Sequence, residues 1–567
     1  MHPKKTAVLL LLAVIPGAVA AAAAARADQA HTSFLVVAPD RGFLGNEETR
    51  EAFEAFAGGR QAALVFVTDE RTRSTLEGAR PAILRSGIRR VVVLPFFLSR
   101  SDPRFRRAES LVRELIEPQA AVVWSRPFGE SCFATEVLAE RLRGVEDRRG
   151  RRLVVVGAGA QDEESRRAMA ADWQRLAEAA ADGMGFESVR VVVAASREAV
   201  GAALAAAVEG GERPVVVPFH LGSKLDGMMS FTAELRRQAP HGAEVENGDV
   251  SPHPAIAIWM TRETNRHLPL RPHEVGVAVL AHGADYHWNE AMRRAAEPLA
   301  RDFLVEPAFS MADRQVIEHA IRRLEQRGAR LIVVLRVFGL SASFRDDVER
   351  LIGLDIERGR PARGAGGATH HGHGHEPGEP PRRILSSAVL TTTGGLEDHP
   401  LFAEALLDRA RALSRDPARE TVILVAHDEG DDARDLHWRA VLGSLAARMR
   451  ENGGGRFRSI LAGTWREDWP DKREAAAEEV RRFVREAAAG GGRAIVVPAR
   501  TLGQGPERRL LEGLDFELGE GFIPHPLFAR WAEEQVRAAL AELQGTSPAR
   551  AARGEESTPD TRAANRR

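Results

Sequence analysis

The sequence has very few residues that could cross-link the chain and almost no excess charge. It holds one cysteine, Cys132, among 567 residues, which excludes a disulfide within the chain and a cysteine-rich iron–sulfur or zinc site. Its 79 basic and 80 acidic residues leave a net charge of −1, so no overall field attracts nucleic acid or an anionic membrane surface. Stability must therefore come from packed cores, and no nucleic-acid partner is expected.

The first residues have the three-part pattern of a secretory signal peptide. Two lysines precede an apolar run, and residues 25–27 read Ala-Arg-Ala, a small-residue cleavage pattern. A retained membrane anchor is the alternative, which Pro16 disfavours because it interrupts the run. We therefore predict a signal peptide over residues 1–27, a periplasmic or secreted mature protein, and no membrane insertion after cleavage.

A β-branched, apolar segment followed by a helical pattern recurs four times. The first strands of these repeats begin at Phe34, Arg152, Val275 and Thr421. A second valine-rich strand follows in each repeat, beginning at Val91, Pro214, Leu331 and Ala494. Because single cores stop growing near about 250–300 residues, a chain of this length needs more than one core. Repeats of one unit supply them.

Buried-type strands that alternate with helices indicate parallel sheets with helices on both faces. We predict an α/β protein of four repeated half-domains, in which copies one and two, and copies three and four, pair into two bilobed bodies. The predicted copies are 32–145, 151–268, 275–414 and 420–545. The polar tail, 546–567, is expected to be disordered.

Each repeat closes on a related phrase before its last helix. Three of the four phrases contain His-Pro, at His253, His399 and His525. Proline suits the first turn of a helix, because the N–H group that it lacks would have no partner there. We therefore interpret these histidines as marking helix starts rather than as metal ligands.

Copy three contains three phrases that occur together in a known family. They are VAVLAHGADYHWNEAMRRAAEPLA at 277–300, the strand and loop LIVVLRVFGLSASF at 331–344, and TTTGGLEDHP at 391–400. In this order they resemble the sirohydrochlorin cobaltochelatase and ferrochelatase family, the CbiX-like class II tetrapyrrole chelatases. The other three copies are similar in layout and in short phrases only.

The resemblance implies a lyase that inserts Co²⁺ or Fe²⁺ into a tetrapyrrole held between two α/β lobes, without an organic cofactor. In that family, histidines at strand ends bind the metal and accept pyrrole protons. His282 matches the first of them, and His427 is its counterpart in copy four by internal alignment. Imidazole suits both tasks, since it binds first-row metals and titrates near about pH 6.5. The alternative for each is a histidine hydrogen-bonded to its own loop.

The family's second histidine has no match in this sequence. The loop where the resemblance places it offers Ser341 and Ser343, and the corresponding loop of copy four, TLGQGPE, has no histidine. Neither first strand of copies one and two ends on a histidine. The first body is therefore expected to have lost chelatase chemistry, and the second to keep a reduced set of groups.

A His-rich insertion, 361–381, interrupts copy three. Its histidines alternate with glycine and are His370, His371, His373 and His375. Several imidazoles on a flexible chain suit the capture of Co²⁺, Ni²⁺ or Zn²⁺. A solvated low-complexity loop is the alternative.

The functional prediction is a chelatase-like protein that binds a divalent metal, Co or Fe, with insertion into a tetrapyrrole as its reaction if it is an enzyme. The alternative is a non-catalytic periplasmic protein that binds the metal or the tetrapyrrole. Export favours this alternative, because the usual pathway of the family is cytoplasmic. A third hypothesis is a scaffold whose repeats bind a partner.

Overall fold

The structure is a computed structural model with defined positions for most of the chain. It describes residues 31–68, 70–196, 199–208, 214–221, 231–246, 249–359, 381–427 and 430–545. The predicted signal peptide, the four histidines of the insertion and the tail lie outside these ranges. None of the described helices combines the length and hydrophobicity needed to cross a bilayer.

Copies one and two each form a four-stranded parallel sheet. The strands of copy one are β1 (Thr32–Pro39), β2 (Ala62–Val67), β3 (Arg90–Pro95) and β4 (Ala121–Trp124), and its helices are α1 (Gly42–Ala57), α2 (Thr72–Ile83), α3 (Pro103–Leu115) and α4 (Cys132–Arg143). The strands of copy two are β5 (Arg152–Ala158), β6 (Ser188–Ala194), β7 (Val215–Pro218) and β8 (Glu244–Val245), and its helices are α5 (Glu163–Ala181), α6 (Val200–Val208), α7 (Phe231–Gln238) and α8 (Ala255–His267).

Copies three and four repeat this arrangement. The strands of copy three are β9 (Val275–Ala281), β10 (Leu304–Phe309), β11 (Leu331–Val337) and β12 (Val389–Gly394), and its helices are α9 (Tyr286–Ala296), α10 (Arg314–Gln326), α11 (Arg345–Leu351), α12 (Leu354–Glu357) and α13 (Pro400–Leu413). The strands of copy four are β13 (Glu420–Ala426), β14 (Ser459–Thr464), β15 (Arg493–Pro498) and β16 (Glu517–Leu518), and its helices are α14 (Asp432–Glu451), α15 (Pro470–Ala488), α16 (Glu507–Leu510) and α17 (Leu527–Leu543).

All four sheets share one topology. The second strand in sequence lies at one edge, then come the first, the third and the fourth, as in the order β14-β13-β15-β16. The first strand of each copy is central and nearly wholly buried, which explains its unbroken apolar run. The chain divides into two compact units between Arg271 and Pro272, so each unit holds two sheets. The predicted α/β class and paired arrangement are confirmed.

Within a unit, the closing helix of one copy packs on the other copy. In unit one, α8 of copy two packs on β3 of copy one, where Trp259 meets the rings of Phe96 and Phe128 at 6.2 and 5.5 Å between centroids. In unit two, α17 of copy four packs on β11 and β12, and α13 of copy three packs on β15. Each pair of copies therefore shares buried surface that neither copy could cover alone.

The His-Pro histidines lie at helix starts, as the sequence indicates. Nδ1 of His253, His399 and His525 accepts a hydrogen bond from the backbone N–H two residues later, at 3.1 to 3.3 Å. Each Nε2 faces a carboxylate on the closing helix of the partner copy. The three pairs are His253–Glu140, His399–Glu534 and His525–Asp408, at 3.0, 3.6 and 3.7 Å. These imidazoles therefore cap helices and join copies.

Copy one lacks this histidine, and the residue at the facing position on α8 is not an acid. In copy one the residue at the helix start is Ser131, and the residue of α8 at the carboxylate position is Arg262. The Arg262 guanidinium lies beside the Sγ of Cys132 at 3.5 Å and over the ring of Phe133 at 5.5 Å. An arginine has replaced the acid where the histidine is missing, so both members of the contact differ together.

We expect the capping histidines to make unit two less stable in acid. Burial lowers the pKa of His399 and of His525 below the usual value, so the unfolded chain takes up protons that the folded chain does not. The free energy of unfolding should fall as pH falls from about 6.5 through the folded pKa values. Urea unfolding at about pH 7.5 and about pH 5 measures this fall.

The double variant His399→Asn, His525→Asn supplies the comparison. Asparagine can accept the same backbone hydrogen bond but does not titrate, so the acid sensitivity should shrink while most of the stability at neutral pH remains. His319→Asn, on an exposed position of α10, is the control. An equal loss of stability in acid for the wild type and the double variant would contradict the assignment.

Candidate functional site

The two predicted histidines lie at equivalent strand ends. His282 directly follows β9 and His427 directly follows β13, and both strands are central in their sheets. All strands of a sheet are parallel, so the residues that follow neighbouring strands meet at one edge, here called the carboxyl edge. Binding groups of open α/β sheets converge at this edge.

His282 is exposed and has only its own loop for a partner. Its Nδ1 lies 2.6 Å from the carbonyl oxygen of Gly283, and no ion pair to it is found among the described residues. The acidic residues of the loops after β9 and β10 are engaged elsewhere. Asp285 and Asp313 each accept a backbone hydrogen bond as the N-cap of a helix, α9 and α10. This imidazole is accessible, and among the residues with described positions no carboxylate orients it.

His427 stands beside two carboxylates from the next strand. Its Nδ1 lies 3.0 Å from Oε1 of Glu467, and its Nε2 lies 3.5 Å from Oδ2 of Asp468. Both acidic residues follow β14, and Arg500, which follows β15, pairs with Glu467. The His427 side chain is 49% exposed, so the group is open to solvent. Three neighbouring strands thus bring histidine, carboxylate and guanidinium to one carboxyl edge.

The contact between His427 and Glu467 shifts the pKa of both side chains. Burial alone would lower the pKa of His427, but the hydrogen bond and charge of Glu467 outweigh it and the pKa is raised. Burial would raise the pKa of Glu467, and the contacts with His427 and Arg500 lower it instead. When the imidazole is neutral, a proton on Nδ1 facing Glu467 leaves the lone pair on Nε2. Carboxylates hold metal-binding histidines in this way.

Trp438, on α14 of copy four, contacts both this group and copy three. The indole packs so tightly on Gly339, in the loop after β11, that a Cβ there would lie 2.8 Å from it. The indole Nε1 donates to the carbonyl oxygen of His427. The loop that lacks the family's second histidine therefore lies against the helix that supports His427. The carboxyl edges of copies three and four meet at one mouth, defined here by Gly339, Trp438 and His427.

In copy one the position that corresponds to His282 and His427 is Pro39, and a buried arginine lies two residues after it. Arg41, just after β1, donates to Gly45 and Thr49 within copy one and to the carbonyl oxygen of Leu221 in copy two. Its burial lowers the pKa to about 10, which keeps the guanidinium charged at neutral pH. The contact with Leu221 joins copies one and two.

Three residues of the His427 group were not singled out from the sequence. Glu467, Asp468 and Arg500 follow the second and third strands of copy four, in the phrases WREDWP and VPAR. Only their position after a strand indicates a role in the site, because polar residues that follow neighbouring parallel strands lie at the same carboxyl edge of the sheet. A search of every strand end, rather than of histidines, would have found them.

The metal-binding prediction for the insertion lies outside the described residues. His370, His371, His373 and His375 are not among the described residues. The described chain resumes beside the first residue of α10, where Nε of Arg314 donates to the carbonyl oxygen of Arg382 at 2.8 Å. The start of α10 follows the carboxyl end of β10.

Within the described ranges, no group of three or more histidine, cysteine or acidic side chains is arranged to hold a metal ion.

Comparison with known families bears on copy three. Residues 276–413 match the family model CbiX. This part of the chain is similar to the CbiX family. The match spans the strand that leads to His282 and ends near the end of α13. The predicted resemblance to CbiX-like chelatases, strongest in this copy and weaker elsewhere, is confirmed. No curated protein matches the sequence.

Several solved structures are similar to about half of the chain. SirB from Bacillus subtilis with Fe³⁺ has a TM-score of 0.36 and 14% identity, covering 48% of this chain and 97% of that one. The sirohydrochlorin chelatase SirB from Bacillus subtilis subspecies spizizenii in complex with cobalt has a TM-score of 0.33 and 13% identity, with the same coverage. DR2241 from Deinococcus radiodurans, described as multi-domain with structural similarity to chelatases, has a TM-score of 0.30 and 20% identity, covering 46% and 54%. Similarities this low say nothing of activity.

We expect Glu467→Gln to lower the pKa of His427. The substitution keeps a side chain of similar size but removes the negative charge that outweighs burial, so the imidazole should lose its proton at lower pH. Histidine chemical shifts followed by NMR over pH measure the titration midpoint. Glu478→Gln, on the exposed face of α15, is the matched control. A midpoint unchanged by Glu467→Gln would contradict the pairing.

Proposed function

We propose that unit two is a chelatase-like body that binds a divalent metal ion, Co²⁺ or Fe²⁺, and a tetrapyrrole at the mouth between copies three and four. The observation that carries this proposal is the imidazole of His427, exposed at a strand end and oriented by Glu467. The CbiX match of the neighbouring copy supports the same chemistry. The metal is the substrate or cargo in this proposal, and no resident cofactor is required.

The donor atoms at His427 suit a first-row divalent ion. Nε2 of His427 and Oδ2 of Asp468 are 3.5 Å apart, close to the roughly 3.4 Å between two donors of a tetrahedral ion with bonds of about 2.1 Å. An imidazole nitrogen with a carboxylate oxygen favours Co²⁺, Ni²⁺, Zn²⁺ or Fe²⁺ over the harder Mg²⁺ and Ca²⁺. Glu467 would orient the imidazole, and Arg500 would hold Glu467 in turn.

Metal insertion exchanges one dication for two pyrrole protons. His427 would first bind the incoming ion through Nε2, then release it to the pyrrole nitrogens and accept one of the protons that they lose. The Asp468 carboxylate or solvent would accept the other, so charge and protons balance. The mouth supplies position and proton acceptors, and the reaction needs no covalent intermediate. The raised pKa of His427 favours the protonated state that follows.

In this proposal His282 lines the same mouth from copy three as an accessible imidazole without an orienting acid. The His-rich segment of copy three would capture the metal and raise its concentration nearby. The signal peptide predicted over residues 1–27 would place the protein in the periplasm or outside the cell.

A non-catalytic metal or tetrapyrrole binder is the second candidate. It is favoured by the loops after β11 and β15, whose described residues contain no histidine where the family has its second one. With fewer groups to accept the pyrrole protons, the protein would bind the metal or the tetrapyrrole without catalysing metal insertion. The two candidates differ in one observable, which is the spectral change of a tetrapyrrole that acquires a metal.

We expect His427→Ala to reduce cobalt insertion by at least about tenfold, the usual minimum effect of losing a general base or ligand. His282→Ala should have a smaller effect, because no carboxylate orients that imidazole. Insertion is followed by the absorbance of sirohydrochlorin with Co²⁺, and His319→Ala serves as the control. Metal binding without any spectral change in the wild type would favour the non-catalytic binder. Equal insertion rates in wild type and His427→Ala would remove His427 from the mechanism.

A further inference from the structure

A second histidine, His437 of α14, lies at the mouth of unit two. Its side chain is 61% exposed, and it directly precedes Trp438, whose indole supports His427 and packs on Gly339. It faces the carboxyl edge of copy three, although it belongs to copy four. This histidine lies on a helix, whereas His282 and His427 follow strands.

Glu397 of copy three is the acidic residue that His437 faces. Its Oε1 accepts a hydrogen bond from the backbone N–H of Ser341, which lies in the loop that lacks the family's second histidine. Its own N–H donates to the carbonyl oxygen of Gly339 at 2.8 Å. With one oxygen held by the loop, the other oxygen, Oε2, is directed at Nε2 of His437.

The distance between these two atoms is informative. Nε2 of His437 and Oε2 of Glu397 are 4.0 Å apart, which is too far for a hydrogen bond. Two ligands of a tetrahedral ion, each about 2.1 Å from it, lie about 3.4 Å apart. A side-chain adjustment of about half an ångström would therefore let one cation bridge them.

The backbone at Glu397 also favours a role for its side chain. Its φ is 46°, in the left-handed region where a non-glycine residue is disfavoured. Gly394 and Gly395, three and two residues before it, occupy positive φ as well, at 123° and 95°. A glycine would adopt this conformation at lower cost, and the glutamate found here uses its carboxylate to accept the hydrogen bond from Ser341.

We propose that His437 and Glu397 form a second divalent-metal site at the mouth, shared between copies four and three. One imidazole nitrogen and one carboxylate oxygen select Co²⁺, Ni²⁺ or Zn²⁺, with water completing the shell. Two protein donors bind weakly, so the ion can pass on to the macrocycle. His437 thus supplies from the partner copy the second imidazole that the loop of copy three lacks. The site presupposes the metal-binding function proposed for unit two.

The test is a cobalt titration of the full-length protein in which His370, His371, His373 and His375 are replaced by alanine, so that they do not mask other sites. Visible absorption and calorimetry report the number of ions bound and their affinities. We expect two sites. His437→Asn should weaken one of them at least about tenfold and leave the His427 site intact.

Glu397→Gln separates metal binding from folding, because the amide oxygen can still accept the hydrogen bond from Ser341. It should weaken the same site as His437→Asn. His319→Asn, an exposed histidine on α10, should change neither site, and circular dichroism checks that each variant folds. Unchanged cobalt binding in both His437→Asn and Glu397→Gln would overturn this inference while leaving the His427 site standing. If the His427→Ala protein binds cobalt like its parent, or the parent binds none, the proposed function fails instead.

Discussion

The exchange of closing helices between paired copies is the contact on which the rest of the structure depends. A four-stranded sheet covered only by its own helices would leave apolar surface exposed, and the helix of the neighbouring copy covers it. Trp259 and its partners Phe96 and Phe128 show how deeply such a helix is buried. This packing sets two carboxyl edges side by side, and a shared mouth follows from it.

The capping histidines show how the repeats have diverged without losing the pairing. In three copies an imidazole caps the closing helix and faces an acid of the partner copy. Copy one has Ser131, and the facing residue is Arg262 rather than an acid. A neutral hydroxyl needs no counter-charge, and the arginine finds other contacts at Cys132 and Phe133. The pairing therefore persists although its polar contacts differ between units.

Much of the fold could be predicted because its signals are local. The first and second predicted strands of each copy correspond to real strands, since buried parallel strands read as continuous apolar runs. The edge strands β8 and β16 could not be found, because two residues each leave no pattern. At the site, His282 and His427 were identified through resemblance. Their surroundings differ: His282 contacts the carbonyl oxygen of Gly283, and His427 contacts the carboxylates of Glu467 and Asp468.

The sequence by itself determined the repeat, the parallel sheets and the positions of the strand-end histidines, since each depends on neighbours along the chain. Only the tertiary structure decided which charges surround those histidines. Glu467 and Arg500 lie far from His427 in sequence, and they meet it because the sheet places β14 and β15 on either side of β13. His437 and Glu397 come from different copies and meet only when the copies pack. The spacing of residues along the chain does not predict such contacts.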